Sequence, residues 1–138
     1  MLLAAATGGS AAAASESDAR LSAVAREARR AVAIISDFYI EHRACPQPTR
    51  SADLVELQAA LGDGFSVETQ GRFVSITGVA MPPSWFYYSS PGHPDRCTLW
   101  RKLDGDAALV WRRYRYSVRW TFAPGDGRPE RPIKPTRL

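Results

Sequence analysis

Between residues 18 and 43 the apolar positions return at alternating steps of four and three. Leu21, Ala25, Ala28, Val32, Ile35, Tyr39 and His42 form a seam of period 3.5, and Val24, Ala31 and Phe38 widen it into an apolar face. Arg20, Arg26, Glu27, Arg30, Asp37 and Glu41 fall largely elsewhere. Ser15 or Ser17 suits a cap, Glu16 and Asp18 suit the positive end of the helix dipole, and Cys45-Pro46-Gln47-Pro48 ends the run. The pattern predicts one helix of about 25 residues, roughly 37 Å long. A second, short helix is predicted over residues 51–62, with Ser51 as cap, Leu54, Leu57 and Leu61 on one face, and Gly62 just past its end.

After Gly64 the period drops to two. Phe65–Thr69 and Arg72–Val79 flank a tight turn at Gln70-Gly71. Ser84–Ser90 is a short aromatic strand, followed by a loop at Pro91-Gly92-His93-Pro94. Cys97–Leu103 and Ala107–Phe122 flank Asp104-Gly105-Asp106, the strongest hairpin signal in the chain. Tyr114, Tyr116, Val118, Trp120 and Phe122 alternate with Arg113, Arg115, Ser117, Arg119 and Thr121, which predicts apolar residues inward and charges outward. Leu109 and Trp111 stand in the opposite phase, so a bulge or break is expected near Arg112.

Helices first and strands afterwards define an α+β class: a long N-terminal amphipathic helix packed on a C-terminal antiparallel sheet. The chain of 138 residues is sized for one domain, placed at residues 15–122. Residues 1–14, Ala- and Gly-rich, read as a flexible leader or the remnant of a signal segment. In residues 123–138 prolines recur at 129, 132 and 135, as expected of an extended, mobile tail.

Charge sharpens this picture. The formal net charge is +4, and residues 101–120 alone carry six basic side chains against Asp104 and Asp106. Arg101, Lys102, Arg113, Arg115 and Arg119 are therefore the candidate polyanion-binding residues, with Trp100 as an outward aromatic able to stack on bases. The bland alternative is a solvated basic face. Cys45 follows a helix and Cys97 opens a strand, so the two read as one disulfide, with two buried free thiols as the alternative.

The chemistry of catalysis is missing. There is no phosphate-binding glycine loop, nucleophile elbow or paired zinc-ligand spacing, and no metal or cofactor is expected. Ser89, Ser90, His93 and Asp95 cluster in one loop, where turn chemistry accounts for them, and His42 reads as a packed helix-end histidine. The expectation is a protein that is not an enzyme.

The stretch Ala28–Pro46, an Ala-rich amphipathic helix running into Phe38-Tyr39 and a Pro-containing loop, resembles the headpiece of type IV pilins and type II secretion pseudopilins. The family's processed N-terminus, with its apolar helix and Glu at the fifth position, has no counterpart here, and membrane anchoring is not supported. The resemblance implies a structural or interaction subunit of the bacterial envelope, extracytoplasmic, partnered by other envelope, pilus or secretion subunits. Its packing seam would be Leu21, Ala25, Ala28, Val32, Ile35 and Tyr39. The alternative is an extracytoplasmic module whose basic strand binds DNA or another polyanion.

Overall fold

The computed structural model describes residues 18–135. Its framework is a seven-stranded antiparallel sheet in simple sequential order. The strands are β1 (Phe65–Gln70), β2 (Phe73–Gly78), β3 (Trp85–Ser90), β4 (His93–Lys102), β5 (Ala108–Tyr114), β6 (Ser117–Ala123) and β7 (Arg131–Ile133). Three short helices precede it: α1 (residues 18–27), α2 (Arg29–His42) and α3 (Ser51–Leu61). The leader proposed at residues 1–14 lies outside the described residues.

This corrects the expected architecture of one long helix on a smaller sheet. Helix 18–43 is divided at Ala28, whose backbone (φ −96°, ψ 10°) leaves the α region and whose N–H bonds to Ala25 O, three residues back. Ala25 and Ala28 are both fully buried, so the apolar seam passes through the break without a Gly or Pro to mark it. The sheet differs from expectation in three places, one lengthening a strand and two adding one each. Residues 91 and 92 close a two-residue turn, so His93–Arg96 continues β4 and is not loop. The stretch 107–122 is two strands, not one. The 123–138 segment carries β7, pairing Trp120 with Ile133 and Phe122 with Arg131. Pro132 is tolerated because β7 is an edge strand.

The phase change near Arg112 has a simple geometric origin. Arg115-Tyr116 is a two-residue hairpin turn, and antiparallel pairing across it sets Trp111 opposite Trp120 and Leu109 opposite Phe122. Odd positions of β5 therefore share a face with even positions of β6. Of the four aromatic residues expected to point inward from the predicted strand 107–122, Trp120 is buried and Phe122 half-buried, whereas Tyr114 is 40% and Tyr116 97% exposed at the turn.

One face of the sheet carries the helices. Leu21, Ala25, Ala28, Ala31, Ile35, Leu57 and Leu61 pack with Val74, Ile76, Trp85, Tyr87, Leu99, Leu109 and Trp111 into one buried cluster. Val32 and Tyr39 border it. The predicted packing seam is thus spent on the chain's own core. Glu27, at the end of α1, accepts hydrogen bonds from Trp85 Nε1 and Arg101 Nε, each at 3.0 Å. Arg30 donates to the carbonyls of Leu61 and Ala60, closing the C-terminal end of α3.

The Cys45–Cys97 disulfide is formed, with Cα atoms 5.5 Å apart. It joins the residue after α2's exit to the central strand. Around it, Cys45 N–H bonds Pro94 O, the Tyr87 hydroxyl donates to Pro46 O at 2.8 Å, and Gln47 Nε2 donates to Ser89 Oγ at 2.9 Å. Burial pushes the Tyr87 hydroxyl well above its ordinary pKa, so it remains a donor at any physiological pH. Among the described residues no helix is long and apolar enough to cross a membrane.

Two stability predictions follow from these contacts. Reducing the disulfide, which closes a separation of 52 residues, removes about 4 kcal/mol in the chain-entropy account. Thermal unfolding should move down by roughly 15 °C; an unchanged melting curve after complete thiol titration contradicts this. Glu27→Ala strips the acceptor from the fully buried Trp85 indole and the half-buried Arg101 guanidinium and should cost about 2 kcal/mol in denaturant unfolding, whereas Glu27→Gln should recover part of it.

Candidate functional site

The helices cover one face of the sheet, and among the described residues no other element lies over the opposite face. Register fixes which side chains share the open face: Ser75 opposite Phe86, Phe86 opposite Trp100, Trp100 opposite Val110, Thr98 opposite Arg112, and Arg112 opposite Arg119. Near its middle, Phe73, Phe86 and Trp100 form a triangle of half-buried rings with centroids 5.5, 5.7 and 5.6 Å apart. Such edge and tilted contacts hold the rings in place while part of each remains accessible. Strand alternation gives the same face Arg96, Lys102, Arg112 and Arg119, all exposed. Arg112 lies diagonally across the ladder from Trp100, about 7–8 Å away along the backbone grid.

Two carboxylates share this side. Glu68 sits on β1, opposite Ser75. Glu130, just before β7, takes a bidentate pair from Arg112 at 2.8 and 3.1 Å and a hydrogen bond from the Thr121 hydroxyl at 3.1 Å. The Arg112 hydrogen bonds are the main reason the Glu130 carboxyl titrates below its ordinary range, aided by the Arg112 charge and Thr121 and opposed by slight burial.

The five predicted polyanion ligands do not form one array. Arg101 turns to the helix side and is held by Glu27 at 3.0 Å. Arg113 also faces the helices, its guanidinium 5.0 Å from the Tyr39 ring centroid. Arg115 occupies the β5–β6 turn, 3.4 Å from Asp95. Only Lys102 and Arg119 reach the open face. Arg113, Arg115 and Arg119 were expected on one side because their strand was read as unbroken. The two-residue turn puts Arg113 and Arg119 on opposite faces.

Arg96, Arg112, Phe73 and Phe86 were missed as members. Arg112 was legible in principle, since it alternates with the buried Trp111. Phe73 and Phe86 needed the register, which no single strand contains. The polar loop cluster is dispersed: Ser89 is buried between Gln47 and Arg96 O, while His93 is exposed and Asp95 pairs with Arg115. His42, expected to pack on the seam, is partly exposed, stacks on Phe38 at 4.2 Å and meets Glu56 at 2.6 Å, linking α2 to α3.

No protein-family model, curated protein or solved structure matches the chain. The functional reading accordingly rests on its own residues.

The Glu130 geometry predicts an acid-sensitive edge. Its pKa is lower folded than unfolded, so its contribution is present above the unfolded value near 4.5 and is lost as pH falls through the folded one. The protection factors of the Ile133 and Trp120 amides, which exclude the intrinsic slowing of exchange in acid, should fall across that acidic window relative to that of Leu99 in the centre of the sheet. Glu130→Gln should abolish the pH dependence of the difference.

Proposed function

We propose that this protein is an extracytoplasmic, non-enzymatic binding module that grips DNA or a related polyanion on the open face of its sheet. The observation that carries the reading is the Phe73–Phe86–Trp100 triangle set among Arg96, Lys102, Arg112 and Arg119. Flat rings accept bases by stacking, and surrounding cations neutralise the phosphates that link them. Unpaired bases are needed for stacking, so single-stranded DNA is the favoured form. The Cys45–Cys97 bond supports a compartment outside the reducing cytoplasm. Burial of the helix seam argues against that seam as the surface that meets partners.

Fluorescence anisotropy with a labelled oligothymidylate tests this. With three phosphate contacts, from Arg96, Lys102 and Arg119, since Arg112 is neutralised by Glu130, affinity should fall roughly 20-fold between 50 and 200 mM salt. Lys102→Ala and Arg119→Ala should each flatten that salt slope by about 0.7, and Trp100→Ala should cost about 1–3 kcal/mol. Binding that is absent, or insensitive to salt and to these substitutions, overturns the reading.

A further inference from the structure

A second site lies around the end of the sheet, between the exit of α2 and the β5–β6 turn. A cleft of about 460 Å³ is lined by Tyr39, Ile40, Arg43, Arg113, Arg115 and Tyr116. That volume falls within the range of small-molecule sites. Three observations separate the cleft from an ordinary basic surface.

The first is backbone conformation. Among the described residues, Arg43 (φ 56°) and Arg115 (φ 55°) are the only non-glycine residues with positive φ, and both line this cleft. Arg43 occupies the left-handed cap of α2, where glycine is the favoured residue. Arg115 is the first central residue of a two-residue hairpin turn, and Tyr116 beside it keeps negative φ. Glycine is preferred at that position too. Two positions that favour glycine carry arginine, and both arginines line the one cleft, Arg115 with its guanidinium over the Tyr114 ring and beside Asp95. Residues held in sparsely populated conformations concentrate at functional sites.

The second is unmet polarity. Arg113 Nε is buried and has no hydrogen-bond acceptor among the described residues. Its guanidinium lies over the Tyr39 ring, which orients the planar group along the cleft wall. The third is charge. Asp95 lies 3.4 Å from Arg115, and no carboxylate among the described residues pairs with Arg43 or Arg113. Three guanidinium groups against one carboxylate leave two positive charges. The remaining wall is flat and apolar, with Ile40 65% and Tyr116 97% exposed.

We propose that this cleft binds a compact dianion carried on a flat apolar group, a phosphomonoester or a dicarboxylate attached to an aromatic ring. Both present the planar pairs of oxygens that an arginine fork matches. The ring lies against Ile40 and Tyr116 while Arg43, Arg113 and Arg115 take the charge. This site is independent of the open face, which uses none of the six residues.

Thermal-shift titration of the full, oxidised chain with phenyl phosphate, phthalate and benzoate tests the proposal. Phenyl phosphate or phthalate at millimolar concentration should raise the melting temperature by a few degrees, and which of them does so identifies the head group. Benzoate should not. The double variant R43G/R115G should lose the shift while its own unliganded melting temperature stays level or rises, because glycine relieves both backbone positions. Arg113→Lys, which keeps the charge and loses the fork, should weaken binding about tenfold. The proposal is overturned if neither dianion shifts the wild type, or if benzoate does so equally. It is overturned equally if R43G/R115G keeps the shift, or melts several degrees lower without ligand.

Discussion

The attachment of residues 45–47 to the middle of the sheet is the constraint on which the rest of the molecule depends. β4 is the fourth of seven strands, and Cys97 on it is bonded to Cys45 immediately after α2. A sequential antiparallel meander has only local connections, so nothing in the sheet itself dictates where a preceding helical segment must lie. The disulfide does so, with the hydrogen bonds of Cys45, Pro46 and Gln47 to residues of β3 and β4 beside it. Chain entropy and polar satisfaction act here at one point. The buried carbonyl of Pro46 receives the Tyr87 hydroxyl, and Tyr87 in turn sits fully buried beneath the helices.

From that anchor the asymmetry of the molecule follows. The helices are committed to one face, and Leu21, Ala25, Ala31 and Ile35 are consumed by it. The small residues let α1 and α2 approach Trp85 and Trp111 closely, and Glu27 gives the Trp85 indole N–H its acceptor. The other face has no covering element among the described residues. Its aromatic and basic groups stand around Ser75, Val110 and Thr121, which those larger neighbours bury, and beside the half-buried Thr98. An aromatic cluster on such a face is informative because rings not needed for the core have been placed where they remain partly wet.

Much of this was legible in the sequence, but not the parts that depend on pairing. Helical periodicity located α2 and α3, and alternation located β1 to β3. The division at Ala28 was invisible because the buried alanines continue the seam across it. The β5–β6 turn was invisible for a different reason. Arg115-Tyr116 has none of the glycine, asparagine or aspartate that marks a two-residue turn. The alternation on either side was real, yet its change of phase was read as a bulge or break near Arg112 within one continuous strand, not as a turn at Arg115-Tyr116. That single misreading put Arg113 and Arg119 on one face and hid Arg112. A site assembled across strands is a property of register, and register depends on turn lengths more than on strand composition.

The same turn illustrates where local preference and global structure disagree. A sequence chosen for stability alone would carry glycine at positions 43 and 115, since left-handed backbone disfavours any residue with a Cβ by about 1–2 kcal/mol. The hairpin forms nonetheless because its register is enforced by Trp111 against Trp120 and Leu109 against Phe122, all in or beside the core. Likewise, Arg43 is held at its cap by its N–H to Tyr39 O and by the anchored Cys45 two residues on. The core thus sustains two unfavourable backbone conformations that local propensity would reject. Where tertiary structure overrides a local preference twice, each time at an arginine that lines the same cleft, the side chains are the natural reason for the exception.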